Sequence, residues 1–400
     1  MPRLPPLLIS HAKRLNRYLP LLLRECRDLN FAQNELRWMQ ETILEKKLGI
    51  TAEWEADHTT IWRPGSQADR ILQSWVRRRT RAEPLQYILG TQPFGELEIK
   101  CKRSALIPRP ETEIYTTELA SILHKLRNDD DKTRHLETSR DGEERTLTIA
   151  DFCTGTGCIA LLLHSLLQSP TPDRQSSLFN LRIRAFDISS EALRLSEQNL
   201  EHNLNLGTLH GSARSSISFE SLDVLALSRL SQPEIRAELS SENNGLFDVI
   251  ISNPPYISPS DYCHGPTTKS VRMYEPKIAL VPPADLTYRG INQADQFYLA
   301  LIRIAAAAKC KLLIMEIGDT AQAIRVLELC KSNIKDNSTG SSKLRHLPVV
   351  LEVWKDDGKV VRYPQNGNIG SFHEPDGIPC RAVVMWVDQE WAQARTRQDH

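Results

Sequence analysis

The chain has 400 residues, with fifty lysines and arginines against fifty aspartates and glutamates and a formal net charge of zero. That length can bury a sizeable core and allows two or three compact domains, while the balanced charge excludes a global electrostatic footprint for duplex nucleic acid. No apolar run reaches the roughly eighteen residues of a membrane span, and the eight scattered cysteines contain no Cys-x-x-Cys pair, so they read as reduced thiols rather than metal ligands.

The first twenty-four residues, MPRLPPLLISHAKRLNRYLPLLLR, carry Arg3, Lys13, Arg14, Arg17 and Arg24 among leucines, with no acid before Glu25. That balance fits an organellar transit peptide. The scarcity of serine and the prolines Pro5, Pro6 and Pro20 fit a basic first helix of the mature domain instead. From Leu21 to Arg81 the pattern is helical: Leu36, Met39, Ile43 and Leu44 recur at helical spacing, as do Ile71, Leu72, Trp75 and Val76. Residues 1–86 are thus expected to form a small helical domain, with Arg77, Arg78 and Arg79 on a solvated face.

Between Leu85 and Ile107 short β-rich pieces broken by Gly90 and Gly95 predict a hairpin, and residues 87–113 form a linker. Its last residues, PRPETE (108–113), carry a proline and acids suited to a helix start. After Thr146 strands, glycine turns and helices alternate, which predicts a parallel sheet with helices on both faces within 114–400. PVVLEVWKD and PCRAVVMWVD near the end predict an antiparallel pair at the sheet edge. Polar stretches at 127–146, 169–180, 228–245 and 333–346 read as surface insertions.

In ADFCTGTGCIALLL, Asp151 lies near a strand end, and Gly155 and Gly157 lie in the turn that opens a helix. Such a turn brings backbone N–H groups close to a ligand. The next two strands end near Asp187 and Asp223. Asp187 is placed to bind ribose hydroxyls and Asp223 to accept from an adenine amine, although either acid also reads as a loop residue or helix cap. A turn for pyrophosphate normally wants a third glycine and no leading acid. Asp151 beside a cation fits better, and the sulfonium and ammonium end of S-adenosylmethionine is such a cation.

The fourth strand runs into FDVIISNPPYIS (247–258). Prolines hold φ and remove donors, so the carbonyl of Pro254 is free to accept in a rigid geometry beside the side-chain oxygen of Asn253. Two acceptors at fixed spacing suit a planar –NH2 group. Holding both hydrogens aims the nitrogen at a methyl group and favours positive charge on it. Pro255 stiffens the segment, and Tyr256 walls the pocket.

PRPETE, DFCTGTG, FDIS, FDVIISNPPYIS and YEPKIAL (274–280), in that order, resemble the HemK/PrmC family, the glutamine methyltransferases of class one peptide-chain release factors. The resemblance implies a seven-stranded, Rossmann-like class I methyltransferase domain behind an N-terminal helical substrate-recognition domain and a β-hairpin linker. It implies transfer from S-adenosylmethionine to the glutamine amide of a Gly-Gly-Gln loop, bound by Asn253, Pro254, Pro255 and Tyr256, and it makes PRPETE a loop lining the cofactor pocket next to the acceptor rather than a plain helix start. The matching cofactor positions are Asp151, Phe152, Cys153, Thr154, Gly155, Asp187, Asp223, Val224 and Asn253, with no metal. The expected partner is a release factor, with no stable nucleic acid, no membrane, a monomeric state and a mitochondrial location, the cytoplasm being the alternative. A methyltransferase of an exocyclic amine in DNA or RNA is the competing reading, because NPPY is shared with such enzymes. Two departures stand out. Phe152 and Cys153 replace the family's Leu-Gly, so Cys153 is expected to avoid positive φ. EIGDTAQ (316–322) has its glutamine displaced, which leaves Glu316 and Gln322 outside the expected site.

Overall fold

A computed structural model describes residues 3–47, 49, 61–129, 146–168, 180–240, 247–284, 290–336, 350–363 and 378–397. Most of the polar stretches read as insertions lie outside these residues. The chain divides into two compact units.

The first unit comprises Met1–Gln92, Cys101–Arg103 and Thr267–Glu275. Its main helices are α1 (Pro6–Leu15), α2 (Leu19–Cys26), α3 (Leu29–Thr42) and α4 (Gln67–Arg79), followed by the short α5 (Leu85–Leu89). Asp28 and Ser66 cap α3 and α4 by accepting from the amides of Phe31 (2.9 Å) and Asp69 (3.1 Å), which satisfies donors the helix itself leaves unpaired. Leu22, Leu23, Met39, Ile43, Leu72 and Val76 form its core. Leu19, Leu22 and Leu23, from the stretch that fits a leader, are therefore core residues of this unit. The buried Asp69 accepts from Tyr18 Oη (2.6 Å) and from Arg17.

The solvated face expected of Arg77, Arg78 and Arg79 holds for Arg77 alone. Arg79 grips Glu35 through two hydrogen bonds (2.8 and 3.0 Å), and Arg78 grips Glu83 likewise (2.9 and 2.8 Å). A planar guanidinium pairs with a carboxylate in this forked way, so both are structural. The hairpin begins later than its β-rich sequence suggests, as β1 (Thr91–Phe94) and β2 (Leu97–Lys100), because Leu85–Leu89 closes a helical turn that stops at Gly90 (φ +92°).

The second unit is built on a single eight-stranded sheet. In chain order its elements are α6 (Pro110–Asp129), β3 (Leu147–Phe152), α7 (Cys158–Gln168), β4 (Leu181–Asp187), α8 (Ser190–Leu206), β5 (Ile217–Ser221), α9 (Gln232–Leu239) and β6 (Val249–Ser252). After these come α10 (Gln296–Ala307), β7 (Leu312–Glu316), α11 (Thr320–Asp336), β8 (Val350–Lys355), β9 (Val360–Tyr363), β10 (Cys380–Trp386) and α12 (Gln389–Arg397). The sheet order is β5-β4-β3-β6-β7-β10-β8-β9, parallel from β5 to β7 and antiparallel beyond. The first seven positions follow the class I methyltransferase arrangement. β9 is an eighth strand, and it, not the β8–β10 pair, holds the edge.

Alternate strand residues face two cores, as a pleated sheet requires. Ile149, Ile183, Ile251 and Ile314 pack under α6 and α7, while Ala150, Phe186, Ile250 and Met315 pack under α9, α10 and α11. α9 occupies part of a stretch read as a surface insertion. Its Ile235 and Leu239 are buried and Glu234 accepts from the Ser231 amide at 2.8 Å, so Gln232–Leu239 is a capped, packed helix. The strand order reverses between β3 and β6, the switch point at which such sheets bind ligands beyond their carboxyl ends.

Candidate active site

β3 leads into a turn over residues 153–157 in which Cys153 (φ +63°), Gly155 (φ +59°) and Gly157 (φ +78°) are all left-handed. The expectation that Cys153 avoids positive φ is thus corrected. Hydrogen bonds to β4 and its end set the turn: the Thr154 amide donates to Phe186 O (2.9 Å) and the Gly155 amide to Asp187 Oδ2 (2.9 Å). These bonds hold a conformation that a non-glycine residue enters at a cost of about 1–2 kcal/mol. Gly157 has a second reason to lack a side chain, since a Cβ there would stand 3.0 Å from Ser196 Cβ and 3.2 Å from the Phe219 ring.

A cavity of about 400 Å³ lies beyond these strand ends. Of the residues named from the sequence, Cys153, Thr154, Gly155, Asp187, Asp223 and Val224 line it, and so do Asn253 and Pro255. Asp151, Phe152, Pro254 and Tyr256 do not. Phe152 is buried and stacks on Phe186 with ring centroids 4.9 Å apart. Asp151 sits under the turn, fully buried, with Oδ2 accepting from Thr154 Oγ1 at 2.6 Å and Oδ1 without a partner among the described residues. Burial pushes its pKa up to about 7, against the Thr154 hydrogen bond.

Asp187 accepts from Gly155 N through one oxygen and from Ser189 N through the other, each at 2.9 Å. Each carboxylate oxygen keeps a further lone pair, so the acid can lock the turn and still accept from a ligand. Asp223 does cap a helical turn, accepting from Ala226 N at 3.0 Å, while also lining the cavity. A Cβ built on Gly155 meets nothing nearer than Cys153 O at 4.0 Å, so the cavity reaches bare backbone there. Asp187 and Asp223, the arginines Arg109 and Arg229 and exposed backbone around a largely apolar volume supply both donors and acceptors for a nucleoside. Among the described residues no group of His, Cys, Asp and Glu is placed to hold a metal ion.

Where β6 ends, Ser252 Oγ donates to Phe152 O (2.7 Å), tying the NPPY segment to β3. Asn253 Nδ2 donates to Thr112 Oγ1 at 3.3 Å, and Thr112 Oγ1 donates to Glu316 Oε2 at 2.6 Å. Tyr256 Oη donates to Glu316 Oε1 at 3.1 Å. The carbonyl of Pro254 accepts no hydrogen bond among the described residues.

Of these partners, sequence reasoning left out Glu316 and Gln322 and reached Thr112 only as part of PRPETE, whose Pro108, Arg109 and Thr112 line the cavity. Thr112 comes from the first turn of α6 within PRPETE. Glu316 ends β7 and is 1% exposed, its pKa raised by burial against the Thr112 hydrogen bond. Gln322 Nε2 donates to Tyr256 O (3.2 Å) and Asp295 Oδ1 (3.0 Å), and its Oε1 accepts from Gly318 N (2.8 Å). Gly318 is closely packed: a Cβ there would lie 3.2 Å from both Gln322 Oε1 and the Tyr256 ring. The displaced glutamine of EIGDTAQ therefore still reaches the NPPY segment. An acid closing the otherwise apolar strand LLIME was the signal available, because a buried carboxylate needs donors.

No protein-family model matches the chain. It is similar to the mitochondrial MRF1 N(5)-glutamine methyltransferase MTQ1 of Saccharomyces cerevisiae, 32% identical over 303 residues that cover 74% of this chain and 75% of that protein. The probable MRF1 mitochondrial N(5)-glutamine methyltransferase of Schizosaccharomyces pombe is 32% identical over 251 residues, 61% of this chain and 67% of that one. The release factor glutamine methyltransferase of Pasteurella multocida is 36% identical over 211 residues, and the match spans 57% of its length. Among solved structures, a human methyltransferase 10 domain containing protein matches with a TM-score of 0.36 and 15% identity, covering 73% of this chain and 88% of that one. The fold assignment rests on the strand order itself.

Proposed function

The chain belongs to the family of release factor glutamine methyltransferases, and on that premise we propose how its residues divide the work. It is a protein-glutamine N-methyltransferase whose substrate is the side-chain amide of a release-factor glutamine. We assign the acceptor to the glutamine of a Gly-Gly-Gln loop in a class one factor, the methyl donor to S-adenosylmethionine, and the location to the mitochondrion. The helical unit serves substrate recognition.

S-adenosylmethionine, when bound, supplies an electrophilic methyl group. Gly155, Asp187, Asp223 and Val224 line the cavity and are the residues to hold it, with Asp187 accepting from ribose hydroxyls and Asp223 from the adenine amine. Asp151 steadies the turn from beneath. The acceptor amide is a poor nucleophile because its lone pair is delocalised. Asn253 Oδ1 and the carbonyl of Pro254 take its two hydrogens, aim its nitrogen and favour the positive charge that develops there. The methylated amide then loses its proton to water.

The observation that carries this reading is Asn253 itself. It lines the same cavity as Asp187 and Asp223, its Nδ2 is already engaged, and its oxygen is left for a substrate N–H. The test is methyl transfer from labelled S-adenosylmethionine to purified mitochondrial and cytosolic release factors. Each is run beside a copy with the Gly-Gly-Gln glutamine changed to alanine, and with nucleic acid as a parallel acceptor. Label on the mitochondrial factor that vanishes with the glutamine supports substrate and compartment together; label on nucleic acid alone overturns the reading.

A further inference from the structure

The geometry points to Glu316 and Thr112 as positioning residues that decide which end of the Asn253 carboxamide faces the methyl acceptor. The inference rests on the reading of Asn253 as an acceptor of substrate hydrogens and asks what keeps its oxygen, rather than its NH2 group, turned toward the substrate.

An asparagine side chain presents nearly the same shape with its oxygen and nitrogen exchanged, so only its hydrogen-bond partners orient it. Thr112 has one hydroxyl hydrogen, and at 2.6 Å that hydrogen goes to Glu316 Oε2. Ionised, the Glu316 carboxylate can only accept. What Thr112 offers Asn253 is therefore a lone pair, and the group 3.3 Å away must be the Nδ2 donor. The second oxygen of Glu316 is occupied by the Tyr256 hydroxyl at 3.1 Å, and the Tyr115 hydroxyl lies near the same carboxylate without hydrogen-bond geometry. Arg381, close enough to favour the charged carboxylate, is itself forked onto Asp356 at 2.7 and 2.9 Å. Thr112 and Asn253 line the cavity and Glu316 does not, so Glu316 acts through them. The chain Asn253 to Thr112 to Glu316 has one direction, set by its acceptor-only end.

Glu316→Gln keeps the shape and removes that direction. A glutamine NH2 can donate to Thr112 Oγ1, which frees the threonine hydrogen to point at Asn253. The carboxamide can then turn over and present a donor to a donor. Thr112→Val is nearly isosteric and breaks the relay at its middle; Thr112→Ser keeps the hydroxyl.

The experiment measures kcat and KM for the release factor and calorimetric affinity for S-adenosylmethionine in these three variants and in Asn253→Ala. Thr112→Val and Glu316→Gln are expected to lower kcat/KM by about 10- to 100-fold, the effect of leaving or misdirecting one buried polar group, with cofactor affinity unchanged. Thr112→Ser should restore transfer to within a few-fold of the native protein. Native-like transfer in Thr112→Val, or equal impairment of the serine and valine variants, overturns the inference. The threonine pair decides the matter even if Glu316→Gln does not fold. Undiminished transfer in Asn253→Ala instead defeats the reading beneath it, while a dead Asn253→Ala beside a native-like Thr112→Val defeats this inference alone.

Discussion

Two parts of the cavity are held by different kinds of bond. Around the β3–α7 turn backbone amides set the path, those of Thr154 and Gly155 reaching β4 and its terminal acid and that of Ser189 closing on the same acid, while Ser196 Oγ and Asn199 Nδ2 donate to the backbone carbonyls of Gly155 (3.0 Å) and Thr156 (2.9 Å). At the end of β6 they are side chains: Asn253, Thr112, Glu316, Tyr256 and Gln322 form one connected set. A backbone frame accepts a change of side chain if the new residue can follow its φ and ψ, which is how Cys153 comes to stand in a left-handed position that favours glycine. A side-chain network depends on each hydroxyl and amide by identity, since every member's donor or acceptor role constrains the next.

The sharpest way to separate the two parts is Asn253→Ala. Loss of a preorganised acceptor at the reacting nitrogen should lower kcat by about 10³-fold, or about 4 kcal/mol, with cofactor affinity by calorimetry unchanged. A parallel loss of cofactor binding would show that the parts are not independent. The converse variant, Asp187→Ala, removes a proposed ribose acceptor and unseats the Gly155 amide. Cofactor affinity should fall up to about 100-fold, while kcat at saturating cofactor stays near the native value. A fall in kcat at saturation would mean the turn also positions the acceptor.

The turn also carries a pH signature. Asp151 is pushed up to about 7 by burial, from about 3.9 in an unfolded chain. Between these values the folded state binds more protons than the unfolded one. Stability from this group is therefore fully present below about pH 4 and is lost as pH rises through about 7. Asp187 and Glu316 shift in the same direction, also through burial. Urea denaturation at about pH 5 and about pH 8 should show a decline of which Asp151→Asn removes about 2 kcal/mol. An unchanged slope in that variant would place the titrating acid elsewhere.

What was legible in the sequence follows the same division. Alternating strands and glycine turns fixed the parallel sheet and its switch point, and Asp187 and Asp223 were locatable because a strand end has a known place in such a sheet. Asp151 was locatable as a residue but not as a wall of the cavity: one step along β3 decides between the pocket and the underside of the turn. Thr112 and Glu316 meet across 204 positions of sequence, and no local pattern links a helix start to the end of a late strand. β9, four residues at the sheet edge, carries too short an alternation to stand out from the polar sequence around it.

Cys153 is the smallest effect and the cleanest probe of the backbone frame. Its φ could not be read from sequence because amide bonds to a neighbouring strand impose it. Cys153→Gly removes the left-handed strain but adds chain entropy to the unfolded state and loses the packing of the thiol. Cys153→Ala loses the same sulfur and keeps the strain. The difference between these two variants therefore isolates the backbone: the glycine protein should be more stable than the alanine protein by about 1 kcal/mol, read from urea midpoints at equal slope. Alanine at parity with glycine would mean that position 153 can relax out of the left-handed region. The turn would then owe its shape to Gly155 and Gly157 alone, and the contrast between a backbone-held and a side-chain-held part of the cavity would lose its main support.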